Sequence, residues 1–239
     1  MQRLLILLAM LLLAMPAFAQ RDSNAEVVTA TATDGLTLVG EFYAAGDIAP
    51  TVLLLHMLNS SLSAWEPLLP TLTDDGYNVL AVDMRGHGST GGARDWTLAE
   101  RDVTTWLDWL SDQPSVQPDR IAIVGASIGA NLALIGCAFD ERCVTAIALS
   151  PGLDYSGVVL GDEVTEALAE RSALLVSALG DVYSADSVRA LLAVASGDLG
   201  AQFYVGRRHG TELLRAENAP AIDLIQYWLR EHLADQAGA

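Results

Sequence analysis

Six short, unbroken apolar runs alternate along this chain with segments of helical length, and no other feature limits the fold as much. The runs are Thr51–His56, Tyr77–Val82, Arg120–Val124, Val144–Leu149, Ala173–Ala178 and Gln202–Val205. A strand with one wet face alternates apolar and polar side chains. Unbroken runs bounded by turn residues instead predict strands covered on both faces. Helices are predicted between them over Ser63–Thr73, Leu98–Leu110, Ile128–Ala138, Val164–Glu170, Ala185–Ala195 and Ala221–Leu233. In the clearest of these, Val103, Trp106, Leu107 and Leu110 recur at spacings of three and four, which marks one buried face. Strand and helix in turn argue for an α/β fold, a mostly parallel sheet with helices on both faces. Ahead of it, Glu26–Thr33 and Leu36–Tyr43 alternate around Asp34-Gly35, the signature of a hairpin. An antiparallel pair therefore opens an expected eight-stranded sheet.

The ends of the chain read differently. Arg3, the apolar run Leu4–Met15, Pro16 and Ala17-Phe18-Ala19 form a secretory signal over residues 1–19, with cleavage expected after Ala19. A membrane span needs about 20 apolar residues. This run is shorter, so no stable membrane insertion is expected after cleavage, and the mature chain is expected to be secreted or periplasmic. Residues 20–24 and 234–239 are expected to be flexible ends of a single domain over 25–233.

With 51% apolar and 18% charged residues, the composition is that of a globular domain and excludes a disordered tail. The net charge of −17 repels phosphate backbones, which argues against a nucleic-acid partner. Cys137 and Cys143 are the only cysteines. In an oxidising compartment they are predicted to pair, closing a short loop worth about 2 kcal/mol. With no further Cys and no clustered His, no metal ligand set is available.

The chemistry is signalled by Gly125-Ala126-Ser127-Ile128-Gly129, set directly after one predicted strand and directly before the apolar helix. Small residues let strand and helix approach, and the sharp turn presents the serine hydroxyl at a helix N-terminus, where N–H groups favour negative charge. Two further stretches accompany it. Leu53-Leu54-Leu55-His56 closes the third strand, and Val82-Asp83-Met84-Arg85-Gly86-His87-Gly88-Ser89 follows the fourth. On these three motifs the chain resembles the α/β-hydrolase superfamily over nearly all of its length beyond the leader. Within the superfamily it looks like the small cap-less esterases and dienelactone-hydrolase-like members, although a dienelactone hydrolase proper carries Cys where this chain has Ser127.

The resemblance implies the order serine, acid, histidine. Of the four histidines only His209, in the loop after the last strand, fits it. The acid should follow the strand Ala173–Ala178. Asp181 stands nearest, and Asp186 is the alternative, with a structural role of its own near a helix start. The oxyanion hole implied by the resemblance combines the N–H of Ile128 with that of Met57 or Leu58; relatives usually carry glycine where Met57 stands. His56, Asp83, Arg85 and His87 are assigned to ordering the neighbouring loops.

Only Gly152–Arg171 separates the strand after the nucleophile helix from the next, enough for one helix and no large cap domain. Tyr155, Val158, Val159 and Leu160 are candidates to line an acyl pocket there. The resulting expectation is a secreted serine hydrolase cleaving small-molecule carboxylic esters through an acyl-enzyme, with no cofactor. The alternatives are an acyltransferase using the same acyl-enzyme, or a non-catalytic binding module on the same fold.

Overall fold

A computed structural model describes residues 25–194, 196–215 and 220–233. The expected signal sequence, residues 20–24 and the tail 234–239 fall outside the described residues.

The chain opens with β1 (Ala25–Thr31) and β2 (Thr37–Tyr43), paired antiparallel across Asp34-Gly35, where Gly35 takes a left-handed φ of 86°. Six strands follow in the main sheet: β3 (Ala49–Leu55), β4 (Asn78–Asp83), β5 (Val116–Ala126), β6 (Cys143–Leu149), β9 (Ser172–Ala178) and β10 (Asp198–Tyr204). These six run parallel to one another, β2 pairs antiparallel with β4, and the order across the eight-stranded sheet is β1-β2-β4-β3-β5-β6-β9-β10. The helices are α1 (Leu69–Asp74), α2 (Trp96–Ser111), α3 (Ile128–Phe139), α4 (Asp162–Ala167), α5 (Val182–Val194) and α6 (Pro220–Leu233).

The unbroken apolar runs are explained by two cores, one on each face. Along β3, Val52 and Leu54 pack with Leu72 of α1 and Ile225, Trp228 and Leu229 of α6. Leu53 and Leu55 point the other way, to Trp106 and Leu107 of α2 and Leu132 of α3. Each buried leucine contributes about 2 kcal/mol by its removal from water, so neither face tolerates a polar substitution. Cys137, in the last turn of α3, is joined to Cys143 at the start of β6, with a Cα–Cα distance of 4.9 Å.

Three local expectations need correction. The helix predicted over Ser63–Thr73 is a 3-10 turn, Leu62–Trp65, followed by the short α1. Pro67 lacks the N–H that would carry the ladder through, and Pro70 sits in the first turn of α1 instead. The segment Gly152–Arg171, read as one helix, also holds a small antiparallel pair, β7 (Asp154–Tyr155) and β8 (Val158–Val159). Its turn, Ser156-Gly157, is left-handed at both residues, the geometry that suits tight hairpins. Finally, β10 begins at Asp198, ahead of the predicted run and across residues that read as a turn. Gly200 is there for space: a Cβ would lie 2.6 Å from the ring of Trp228.

Candidate active site

The C-terminal ends of β5, β6, β9 and β10 bring the site together. Ser127 follows β5 and precedes α3 with φ 55° and ψ −120°, a conformation L-residues rarely adopt. The turn is held by its N–H donating to the Leu149 carbonyl at 2.8 Å and its carbonyl accepting from Ala130 N–H at 2.8 Å. Both flanking glycines are required. A Cβ on Gly125 would lie 2.0 Å from the Gly129 carbonyl oxygen, and one on Gly129 would lie 2.4 Å from that of Leu55. The helix thus starts against the backbone of two strands, and the serine is forced out above it.

His209 lies between this serine and Asp181. Its Nε2 is 2.7 Å from Ser127 Oγ, and its Nδ1 is 2.7 Å from Asp181 Oδ2. An ionised carboxylate only accepts, so Nδ1–H donates to Asp181, which leaves Nε2 to accept from the serine hydroxyl. The two loops that carry the acid and the base are laced to each other: Leu179 N–H donates to Tyr204 O at 2.8 Å and Gly180 N–H to Gly206 O at 2.7 Å. Asp186, the alternative acid, is on the exposed side of α5 and pairs with Arg189 at 2.7 Å. It is not part of this cluster.

His56 ends β3 fully buried, with Nδ1 donating to the Met57 carbonyl at 2.8 Å and Nε2 accepting from Met84 N–H at 3.0 Å. Burial, aided by the neighbouring His87, pushes its pKa down to about 4, so it is a neutral strut between two loops. The loop is held from the other side by Asp83, which accepts from Leu62 N–H at 2.9 Å and Ser89 N–H at 2.7 Å, and by His87, whose Nε2 accepts from Asn59 N–H at 3.3 Å. Arg85 is buried on α2 through two 2.6 Å bonds to Asp102.

Met57 turns its sulfur beneath the His209 loop, 3.8 Å from the Thr211 hydroxyl, and Gly210 is a glycine in part because a Cβ would lie 3.0 Å from that sulfur. Leu58 is exposed. Ile128 is the first residue of α3, and a helix offers no internal acceptor to its first N–H groups.

The residues read as pocket lining separate. Val158, in β8, and Leu160 after it are buried in the core, Val159 is exposed, and of the four Tyr155 is the one beside the site, its ring 6.2 Å from that of His209. Ser150, at the end of β6, escaped sequence reading altogether. It is fully buried, takes a left-handed φ of 57°, and accepts the Gly210 N–H on its hydroxyl at 2.9 Å. The following Pro151-Gly152 reads only as a turn, which hides it.

The sequence profile described as alpha/beta hydrolase fold matches residues 50–224, most of the chain and all of the cluster. The chain belongs to that family. Among curated relatives it is 31% identical over 135 residues to a polyketide transferase, grgF, of a Penicillium species, covering 53% of this chain and 45% of that one. It is 30% identical over 157 residues to the uncharacterised protein YfhR of Salmonella typhimurium, covering 59% and 54% respectively. The chain thus spans about half the length of the curated relatives it matches. Among solved structures, the Pyrococcus furiosus esterase Pf2001 has a similar fold, with a TM-score of 0.76 at 20% identity over 88% of this chain and 93% of that one.

Within the family fold, no helix among the described residues is long and apolar enough to cross a membrane. Among the same residues, no group of three or more His, Cys, Asp or Glu side chains is arranged to hold a metal ion.

Proposed function

We propose that this hydrolase cleaves carboxylic esters through an acyl-enzyme, with Ser127 as nucleophile, His209 as general base and acid, and Asp181 as the carboxylate that orients the imidazole. The supporting observation is the continuous bond path of two 2.7 Å contacts from Asp181 through His209 to a serine held at φ 55°. In the proposed cycle His209 Nε2 takes the Ser127 proton as Oγ attacks the ester carbonyl, and returns it to the leaving alcohol. Water, activated by the same nitrogen, then releases the acid. The Ile128 N–H and one from Met57 or Leu58 are assigned to the oxyanion. Because the base must be neutral, the rate falls on acidification.

The experiment is covalent labelling. A fluorophosphonate should give one adduct per chain, on Ser127, and abolish turnover of a short activated ester. Full turnover with Ser127 unmodified would overturn the assignment, and absence of both labelling and turnover would leave the non-catalytic alternative. A second reading, acyl transfer to an alcohol or release of a thioester, is favoured by the relatives named polyketide transferase and thiohydrolase. Product partitioning with an added alcohol, and a thioester assayed beside the oxygen ester, distinguish these. The leader at residues 1–19 supports export from the cytoplasm; an exported chain whose N-terminus is Gln20 is the expected result.

A further inference from the structure

Ser127 and His209 start from strands that are not neighbours. Ser127 follows β5 and His209 follows β10, and β6 and β9 lie between those two strands. Adjacent strands are about 4.8 Å apart, so the His209 loop leaves its own strand three spacings, about 14 Å, from the one that carries the serine. The backbone bonds of Leu179 and Gly180 to Tyr204 and Gly206 tie that loop to the end of β9. They fix its near end, and the last step toward β5 crosses β6.

Leu149 and Ser150, where β6 ends, are bonded to all three parts that must meet. The Leu149 carbonyl accepts the Ser127 N–H at 2.8 Å, the Ser150 N–H donates to the Val176 carbonyl of β9 at 2.6 Å, and the Ser150 hydroxyl accepts the Gly210 N–H at 2.9 Å. One dipeptide thus joins the turn of the nucleophile, the strand that leads to Asp181 and the residue after the base. Ser150 does so at a φ of 57°, a left-handed conformation that is unfavourable for a residue with a Cβ and persists where surrounding contacts over-determine it. Ser150 and Gly210 are both buried. A Cβ on Gly210 would lie 3.0 Å from Met57 Sδ and 3.3 Å from Ala126 Cβ, so the residue after the base packs closely on the residue before the nucleophile.

We propose that Ser150 is the positioning residue for the base: its hydroxyl, by holding the Gly210 N–H, sets the far end of the His209 loop so that Nε2 stays 2.7 Å from Ser127 Oγ. The inference rests on the hydrolase reading above. Its physical basis is that the bond lies one residue from the imidazole it steers. A buried N–H deprived of its acceptor costs the desolvation of that group. Any movement of the loop that finds the Gly210 N–H another partner is therefore favoured, and it carries His209 along. A misplacement of about 1 Å between reacting groups can cost about 10²-fold in rate. The nucleophile itself is fixed by other means, since the bonds of Ser127 to Leu149 and Ala130 are backbone to backbone and use no part of the Ser150 side chain. Loss of the hydroxyl thus acts on the base and spares the elbow.

Ser150→Ala and Ser150→Gly both remove the acceptor, and they differ in the backbone they leave. Alanine keeps a Cβ at a left-handed φ, whereas glycine adopts that φ without penalty. Ser150→Gly should therefore have the higher thermal midpoint of the two. Their kcat on a short activated ester should nevertheless fall alike, by about tenfold to a hundredfold, with KM within about twofold of wild type. The second-order rate of fluorophosphonate labelling should fall in step, because it needs the same base. A merely structural role would instead make turnover follow the midpoint. Values of kcat within about twofold of wild type in both variants would overturn the proposal, as would a kcat restored in Ser150→Gly together with the midpoint, or a loss confined to KM. If Ser150→Ala does not fold, Ser150→Gly decides alone by the same limits. Ser127→Ala run in parallel keeps the two readings apart. Turnover in that variant defeats the nucleophile assignment itself, whereas a dead Ser127→Ala beside unaffected Ser150 variants defeats only the role of Ser150.

Discussion

His56 and His209 both stand at the C-terminal side of the parallel strands, and they are used in opposite ways. Both ring nitrogens of His56 are bonded to backbone, the carbonyl of Met57 and the N–H of Met84, in a place with no exposure. Both ring nitrogens of His209 are bonded to side chains, a carboxylate and a hydroxyl, at a half-buried rim. An imidazole tied to backbone fixes a loop and gains nothing by changing its charge. One placed between an acceptor and a dissociable hydroxyl can take a proton and be steadied while it holds it. The role follows from the partners, not from the residue type.

The largest effects should therefore fall on one histidine. His209→Asn is expected to lower kcat by about 10⁶-fold with folding intact, as removal of the base does in triad enzymes. His56→Asn should act mainly on stability. An equal loss of turnover in a fully folded His56 variant would break the comparison. One step along the bond path, Asp181→Asn should cost about 10⁴-fold by disfavouring the Nδ1–H tautomer. Asp186→Asn should stay within about twofold, since that carboxylate is 67% exposed and bonds only to Arg189. Steady-state kinetics on the pair decides the acid.

The next effect is in stability against pH. The folded pKa of His56 is about 4, below the ordinary 6.5. The unfolded chain therefore binds the proton more readily, and the stabilisation is complete above about pH 6.5 and lost as pH falls toward 4. The shift corresponds to about 3 kcal/mol. Denaturant melts between pH 7 and 4 should show this slope, and it should flatten in His56→Asn. A slope unchanged in that variant would assign it to other groups. The smallest effect concerns neither histidine. Reducing Cys137–Cys143 should cost about 2 kcal/mol of stability and leave kcat unaltered, because the bond sits about 15 Å along α3 from Ser127. A kcat that fell on reduction would mean the far end of α3 governs the nucleophile.

Legibility in the sequence tracked how local each cause was. The turn at Ser127 was readable because Gly125, Gly129 and the flanking strand and helix lie within a few residues of one another. The sheet was readable because each strand is buried on both faces and so announces itself as an apolar run. Asp181 and Asp186 are five residues apart and both follow β9, so only the lacing of Leu179 and Gly180 to the His209 loop separates them. The β7–β8 pair was invisible because two-residue strands have no period to read. Ser150 was invisible because two of its partners, Val176 and Gly210, come from elsewhere in the fold.

The order of residues alone determined the α/β architecture, the elbow that carries Ser127 and the short list of acids and bases, since each rests on neighbours within one strand or helix. Tertiary structure alone decided which carboxylate meets His209, that His56 is a strut, and that the Tyr155 ring stands 6.2 Å from that of His209. Those facts depend on distances between strands far apart in the chain, fixed by packing that only the complete sheet supplies.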